Sequence, residues 1–178
     1  MSKPPWKTAL VEALNRVTTA QQMPRVAVFG IGHPLRGDDA AGIVLAETLQ
    51  PLVAGCANVL VIDAGPAPEN FGGVVRRFAP NFVLLVDAAQ MYEKPSTVRW
   101  LDWRDISGYS GSTHTLPPRL LADYLVQETG CVVALLGIQP LQDNFGAPLS
   151  SIVQKVVETT ARALAEVLCE YAEARSNG

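Results

Sequence analysis

Five short apolar runs, at residues 26–31, 58–62, 82–87, 97–101 and 131–137, restrict this chain to a narrow set of folds. They are rich in Val, Leu and Ile and apolar at consecutive positions, as expected of strands covered on both faces. Segments of helical period lie between them, at 39–50, more weakly near 68–77, at 117–129 and at 151–173. Pro117 and Pro118 suit the entry of the third, and Gly130 stands just past its end. Alternating strands and helices predict an open, largely parallel α/β sheet. Only about eight residues join the third and fourth runs, too few for a helical crossover, so the fourth strand is expected to be antiparallel.

Ahead of the first run, residues 5–20 read as an amphipathic helix, with Trp6, Leu10, Ala13, Leu14 and Val17 at helical spacing. Gln21 to Pro24 reads as a linker. The expected organisation is an N-terminal helical extension, 1–22, followed by a single α/β domain, 23–178. In the last helix, Ser151-x-x-Gln154 matches a capping box, and Ile152, Val156, Ala163, Val167 and Tyr171 supply part of its buried stripe.

With 48% apolar and 17% charged residues, the chain can bury a core without a partner. A net charge of −3 provides no footprint for nucleic acid or an anionic membrane. The apolar runs fall well short of the roughly 18 residues a membrane span needs. The N-terminus is too polar for a secretion signal. Cys56, Cys131 and Cys169 form no C-x-x-C pair, so they are expected to be buried thiols in a reducing cytoplasm.

Most of the chemistry sits in RVAVFGIGHPLRGDDAAG, residues 25–42. A strand enters a glycine turn and a helix leaves it. The spacing Gly32-x-x-x-x-Gly37 matches a phosphate loop, which next needs Lys and then Ser or Thr. Here both positions are Asp. Two carboxylates would repel phosphate and attract a cation, and no G-x-G-x-x-G is present, so a nucleotide site is disfavoured. The chain has neither a G-x-S-x-G elbow nor a Cys beside a plausible His partner, which argues against a covalent acyl-enzyme.

Ligands in such sheets sit outside the carboxyl ends of the strands. That rule selects Asp38 and Asp39 after the first strand, Asp63 in VLVIDAG, Asp87 in FVLLVDAA, and His114 in GSTHTLPP. Asp39, Asp87 and His114 would offer two oxygens and one nitrogen to a borderline divalent ion such as nickel or zinc. Asp38 reads either as a helix N-cap, where Asn would serve as well, or as a candidate base by proximity. His33 is either a fourth ligand or a surface turn residue. Asp63 and Glu69 either line the same cleft or hydrogen-bond the loop backbone. Gln139 either holds an extended ligand or belongs to a turn.

Five ordered segments, GIGHPLRGDDAAG, VIDAGPAPEN, LLVDAAQM, STHTLP and LGIQP, resemble the hydrogenase maturation endopeptidases, nearest the type serving formate-linked hydrogenases. The resemblance implies a twisted five-stranded sheet with helices on both faces, hence three layers, in agreement with the pattern above. It implies a cytoplasmic peptidase that removes a C-terminal extension from the precursor of a nickel–iron hydrogenase large subunit after nickel insertion. The nickel is then carried by the substrate, with zinc or another divalent ion as a surrogate. The resemblance puts the metal contacts on Asp39, Asp87 and His114. It departs from the family at His33, where Asn is usual, and at Ala40, where Gly is frequent. A non-catalytic metal-binding chaperone of hydrogenase precursors would use the same three ligands and is the alternative. The chain is expected to act as a monomer, away from membranes.

Overall fold

The computed structural model describes residues 4–19, 22–102, 104 and 117–173. Strands β1 (Val26–Ile31), β2 (Val59–Gly65), β3 (Phe82–Ala88), β4 (Val98–Leu101) and β5 (Val132–Ile138) form one sheet in the order β2-β1-β3-β5-β4. All pairs are parallel except β4 with β5. The helices are α1 (Pro5–Val17), α2 (Ala41–Leu52), α3 (Gly72–Phe78), α4 (Pro118–Thr129) and α5 (Ser151–Glu173). The fold is therefore the expected three-layer α/β sheet, with its antiparallel strand at the edge.

Consecutive apolar residues in the strands serve opposite faces. Val26 and Val28 of β1, with Phe82, Leu84 and Val86 of β3, pack under α1, α2 and α5. Ala27, Phe29 and Ile31, with Val83 and Leu85, pack under α3 and α4. Trp6, Leu10 and Leu14 of α1 are buried in the first of these cores, so the N-terminal helix packs as one of the three helices on that face.

Three local expectations are corrected. The buried stripe of α5 is Val153, Val157, Ala161, Leu164 and Leu168 together with Val167, while Ile152 is 46% exposed and Val156, Ala163 and Tyr171 lie at the flanks. The true stripe runs one position later, and a rotation of one residue moves Ile152 off the sheet. The Ser151–Gln154 capping box does not form. Gln154 N–H bonds the carbonyl of Ser150, which makes Ser150 the cap, and the Gln154 side chain turns along the helix to Glu158. Finally, Cys56 and Cys169 are joined in a disulfide across a sequence separation of 113, and Cys131 alone is a buried free thiol. Spacing along the chain carries no trace of that pairing, because the fold brings α5 back beside the α2–β2 link.

The approach of α2 to the sheet is controlled by Gly42. A Cβ there would meet the backbone oxygens of Ile31 and Val86 at 2.3 Å. Neither is a flexible side chain, so α2 would have to lift from the carboxyl ends of β1 and β3. Gly42→Ala is expected to lower unfolding free energy by about 1–3 kcal/mol, as overpacked sites do. Urea denaturation checks this, and an unchanged midpoint would show that the contact can relax.

Candidate active site

At the carboxyl end of β1 the chain must reverse into α2 while placing two carboxylates. Gly32, at φ +147°, makes this possible. A Cβ there would lie 1.8 Å from the Asp39 carbonyl oxygen, so the turn folds back on itself at a position open only to glycine. A 3₁₀ turn, Gly37–Ala40, then carries Asp38 and Asp39 into the protein, at 0% and 4% exposure.

The two neighbours are treated in opposite ways. Asp38 is not the N-cap of α2; that place is taken by Ala40, which makes no side-chain cap bond. Its carboxylate instead accepts four hydrogen bonds from far along the chain. Oδ2 receives Leu141 N–H at 2.8 Å, Gln142 N–H at 3.2 Å and the Ser150 hydroxyl at 2.8 Å, and Oδ1 receives Ser150 N–H at 2.6 Å. Because Ser150 opens α5, the charge also faces the positive end of that helix. Asp39 accepts one hydrogen bond, from His33 N–H to Oδ2 at 3.0 Å. Burial holds its carboxyl above the ordinary carboxylate value, with the His33 amide and the Arg36 guanidinium pulling the other way.

Asp87, next to last in β3, reaches the same edge from the adjacent strand. Burial first, and the Asp39 carboxylate second, push its carboxyl up to about 8, partly offset by the Ala88 amide. Neither Asp39 nor Asp87 makes an ion pair among the described residues. Two neighbouring carboxylates, both shifted upward by desolvation, are the environment a divalent cation relieves. Among the described residues no three potential ligands gather to hold a metal, and His114 lies outside the described residues.

Beside Asp39 opens a cleft of about 280 Å³, walled by Ala88, Gln90, Pro140, Leu141, Gln142 and Asp143. Asp63 and Glu69 are not on its walls. Asp63 is exposed and accepts Gly65 N–H at 3.1 Å, closing its own turn, and Glu69 is exposed in the 3₁₀ turn Pro68–Phe71. The ring of His33 accepts Leu35 N–H on Nδ1 at 3.2 Å and packs 6.3 Å from Phe145, as a half-buried turn residue does. Gln139 is 3% exposed, and both ends of its amide bond the protein. The wall formed by residues 140–143 and Gln90 escaped the sequence reading. No periodicity marks a loop whose place is set by hydrogen bonds to Asp38.

Residues 43–167 match the family model described as hydrogenase maturation protease. The chain is 37% identical over 135 residues to the hydrogenase 3 maturation protease of Escherichia coli K12, covering 75% of this chain and 85% of that protein. The crystal structure of a NiFe hydrogenase maturation protease, HycI, from Thermococcus kodakarensis superposes with a TM-score of 0.79 at 31% identity, covering 90% of this chain and 99% of that one. The solution structure of an endopeptidase, HycI, from Escherichia coli gives 0.70 at 35% identity, covering 79% and 89%.

Two outcomes follow from the geometry. A capping role would make Asp38→Asn harmless, but here one end of the amide must face an N–H or O–H donor with another N–H. We expect a loss of about 1–3 kcal/mol, the cost of an unsatisfied buried donor, read as a lowered urea midpoint. For Asp87 the folded value, about 8, lies above the ordinary 3.8. The fold therefore holds that proton more tightly than the unfolded chain does. The stabilisation is complete below pH 4 and is lost as pH rises through 8. Metal-free protein should melt progressively lower between pH 5 and 8, and Asp87→Asn should flatten that slope. Equal slopes in the two proteins would refute the assignment.

Proposed function

Since the chain belongs to the hydrogenase maturation protease family, we propose that this endopeptidase removes the C-terminal extension of a nickel–iron hydrogenase large-subunit precursor, with the precursor's nickel as the feature it recognises. The observation that supports this most directly is the pair of carboxylates at one sheet edge, Asp39 buried beside an open cleft and Asp87 half-buried on the adjacent strand, with no cation partner among the described residues. In this reading the two carboxylates meet nickel presented by the precursor, and His114 is the third donor. Zinc or another divalent ion serves as a surrogate in binding assays. The setting in this reading is the cytoplasm.

Hydrolysis consumes one water, breaks one peptide bond, and leaves a new carboxylate on the precursor and a free amine on the released peptide. The chain's contribution is positional. The 3₁₀ turn holds Asp39 against the His33 amide, and β3 holds Asp87 beside it. Asp38, with four donors on its carboxylate, secures the turn and the cleft wall. Withdrawing these metal-facing carboxylates, Asp39 and Asp87, from water favours their ionised forms only when a cation is present, so a precursor lacking nickel would leave Asp87 protonated and offer it no partner.

The test is mass spectrometry of precursor before and after incubation. Nickel-loaded precursor should lose a C-terminal peptide and metal-free precursor should not. Asp39→Asn and His114→Ala should keep the far-ultraviolet circular dichroism of the parent while processing falls by about 100-fold or more, as loss of a metal contact implies. Equal cleavage of loaded and metal-free precursor would remove the metal from recognition. Binding without any released peptide would favour the chaperone alternative.

A further inference from the structure

The strap that leaves β3 is folded around one buried amide. Gln139, 3% exposed, accepts Met91 N–H at 2.7 Å and Glu93 N–H at 3.3 Å on its Oε1. Backbone amides can only donate, so the other end of the side chain is the nitrogen. That Nε2 donates to the Pro140 carbonyl at 3.2 Å and to Oε1 of Gln90 at 2.5 Å. Gln90 Oε1 also accepts Tyr92 N–H at 3.3 Å. The orientation of Gln90 is thereby determined: its oxygen is held by the protein, and its Nε2 has no partner among the described residues.

Gln90 is exposed and lines the cleft beside Asp39. The cleft's charged side chains, Asp39 and Asp143, are acceptors. Of its two side-chain amides, Gln142 donates to the Pro148 carbonyl, whereas Gln90 keeps its N–H groups unengaged among the described residues. A peptide laid in the cleft brings backbone carbonyls that no carboxylate can satisfy. A pre-oriented neutral donor meets that need at little entropic cost.

We propose that Gln90 is a substrate-binding residue whose Nε2 donates to a backbone carbonyl of the precursor segment that enters the cleft. The proposal rests on the precursor-processing reading above. Gln90→Glu is the informative change: one carboxylate oxygen keeps both internal bonds, while the outward face turns from donor to acceptor and gains a negative charge. Gln90→Met removes the donor without adding charge, and also removes the acceptor that Gln139 and Tyr92 use, so the two variants share only the loss of the outward donor.

Steady-state processing of nickel-loaded precursor by the parent chain and both variants provides the test. KM is expected to rise about tenfold or more in each, the scale for a lost specific donor, with kcat within about twofold and the melting temperature of Gln90→Glu unchanged. KM values within about twofold of the parent would overturn the proposal, as would a loss confined to kcat. Absence of any cleavage by the parent would overturn the processing reading, and this proposal with it.

Discussion

The Asp38 carboxylate is the constraint on which the rest of the site depends. A fully buried charge is tolerable only when its lone pairs are satisfied, and here all four donors come from residues 141–150. Meeting that demand seats the 140–143 loop as a cleft wall and brings the first turn of α5 against the glycine turn. Asp39 therefore faces a defined wall. The same local sequence, two consecutive Asp, produces one carboxylate saturated by the protein and one that accepts a single hydrogen bond among the described residues.

Under the proposed function, that contrast gives a route to specificity for a metal carried by the substrate. Asp39 and Asp87 each have a carboxyl shifted upward by burial, and the Asp39 carboxylate adds to the difficulty Asp87 has in ionising. Near neutral pH a proton and an incoming cation compete for Asp87. Under the proposed function, coordination would release that proton, so that engagement of a metal-bearing partner and deprotonation would be one linked event. Removing the partner would return the proton to Asp87.

Much of this was legible in the chain. Consecutive apolar residues in the five strands reported a sheet covered on both faces, and the short β3–β4 link reported the antiparallel edge. The rule that ligands sit at strand carboxyl ends selected Asp39 and Asp87, which the fold brings to one sheet edge. What escaped depended on contacts between distant segments. Asp38 looked like a cap because a carboxylate before a helix normally is one, and its real donors lie over 100 residues later, Ser150 at a separation of 112. Gln139 looked open to ligand because its burial follows from the strap folding over it. Gln90 carried no signal at all, being one polar residue in a turn.

The Cys56–Cys169 bridge closes a covalent ring whose ends are 113 positions apart in sequence. Asp87, His114 and Gln139 are inside the ring, and Asp38 and Asp39 are outside it. The site is thus assembled across a topological boundary. A ring of this size removes on the order of 4–5 kcal/mol of chain entropy from the unfolded state in the loop-closure view. Reducing it would loosen the unfolded ensemble while leaving the Asp38 bonds in place. A single backbone break anywhere between the two cysteines would, in the oxidised protein, yield two fragments that still travel as one molecule until a thiol separates them.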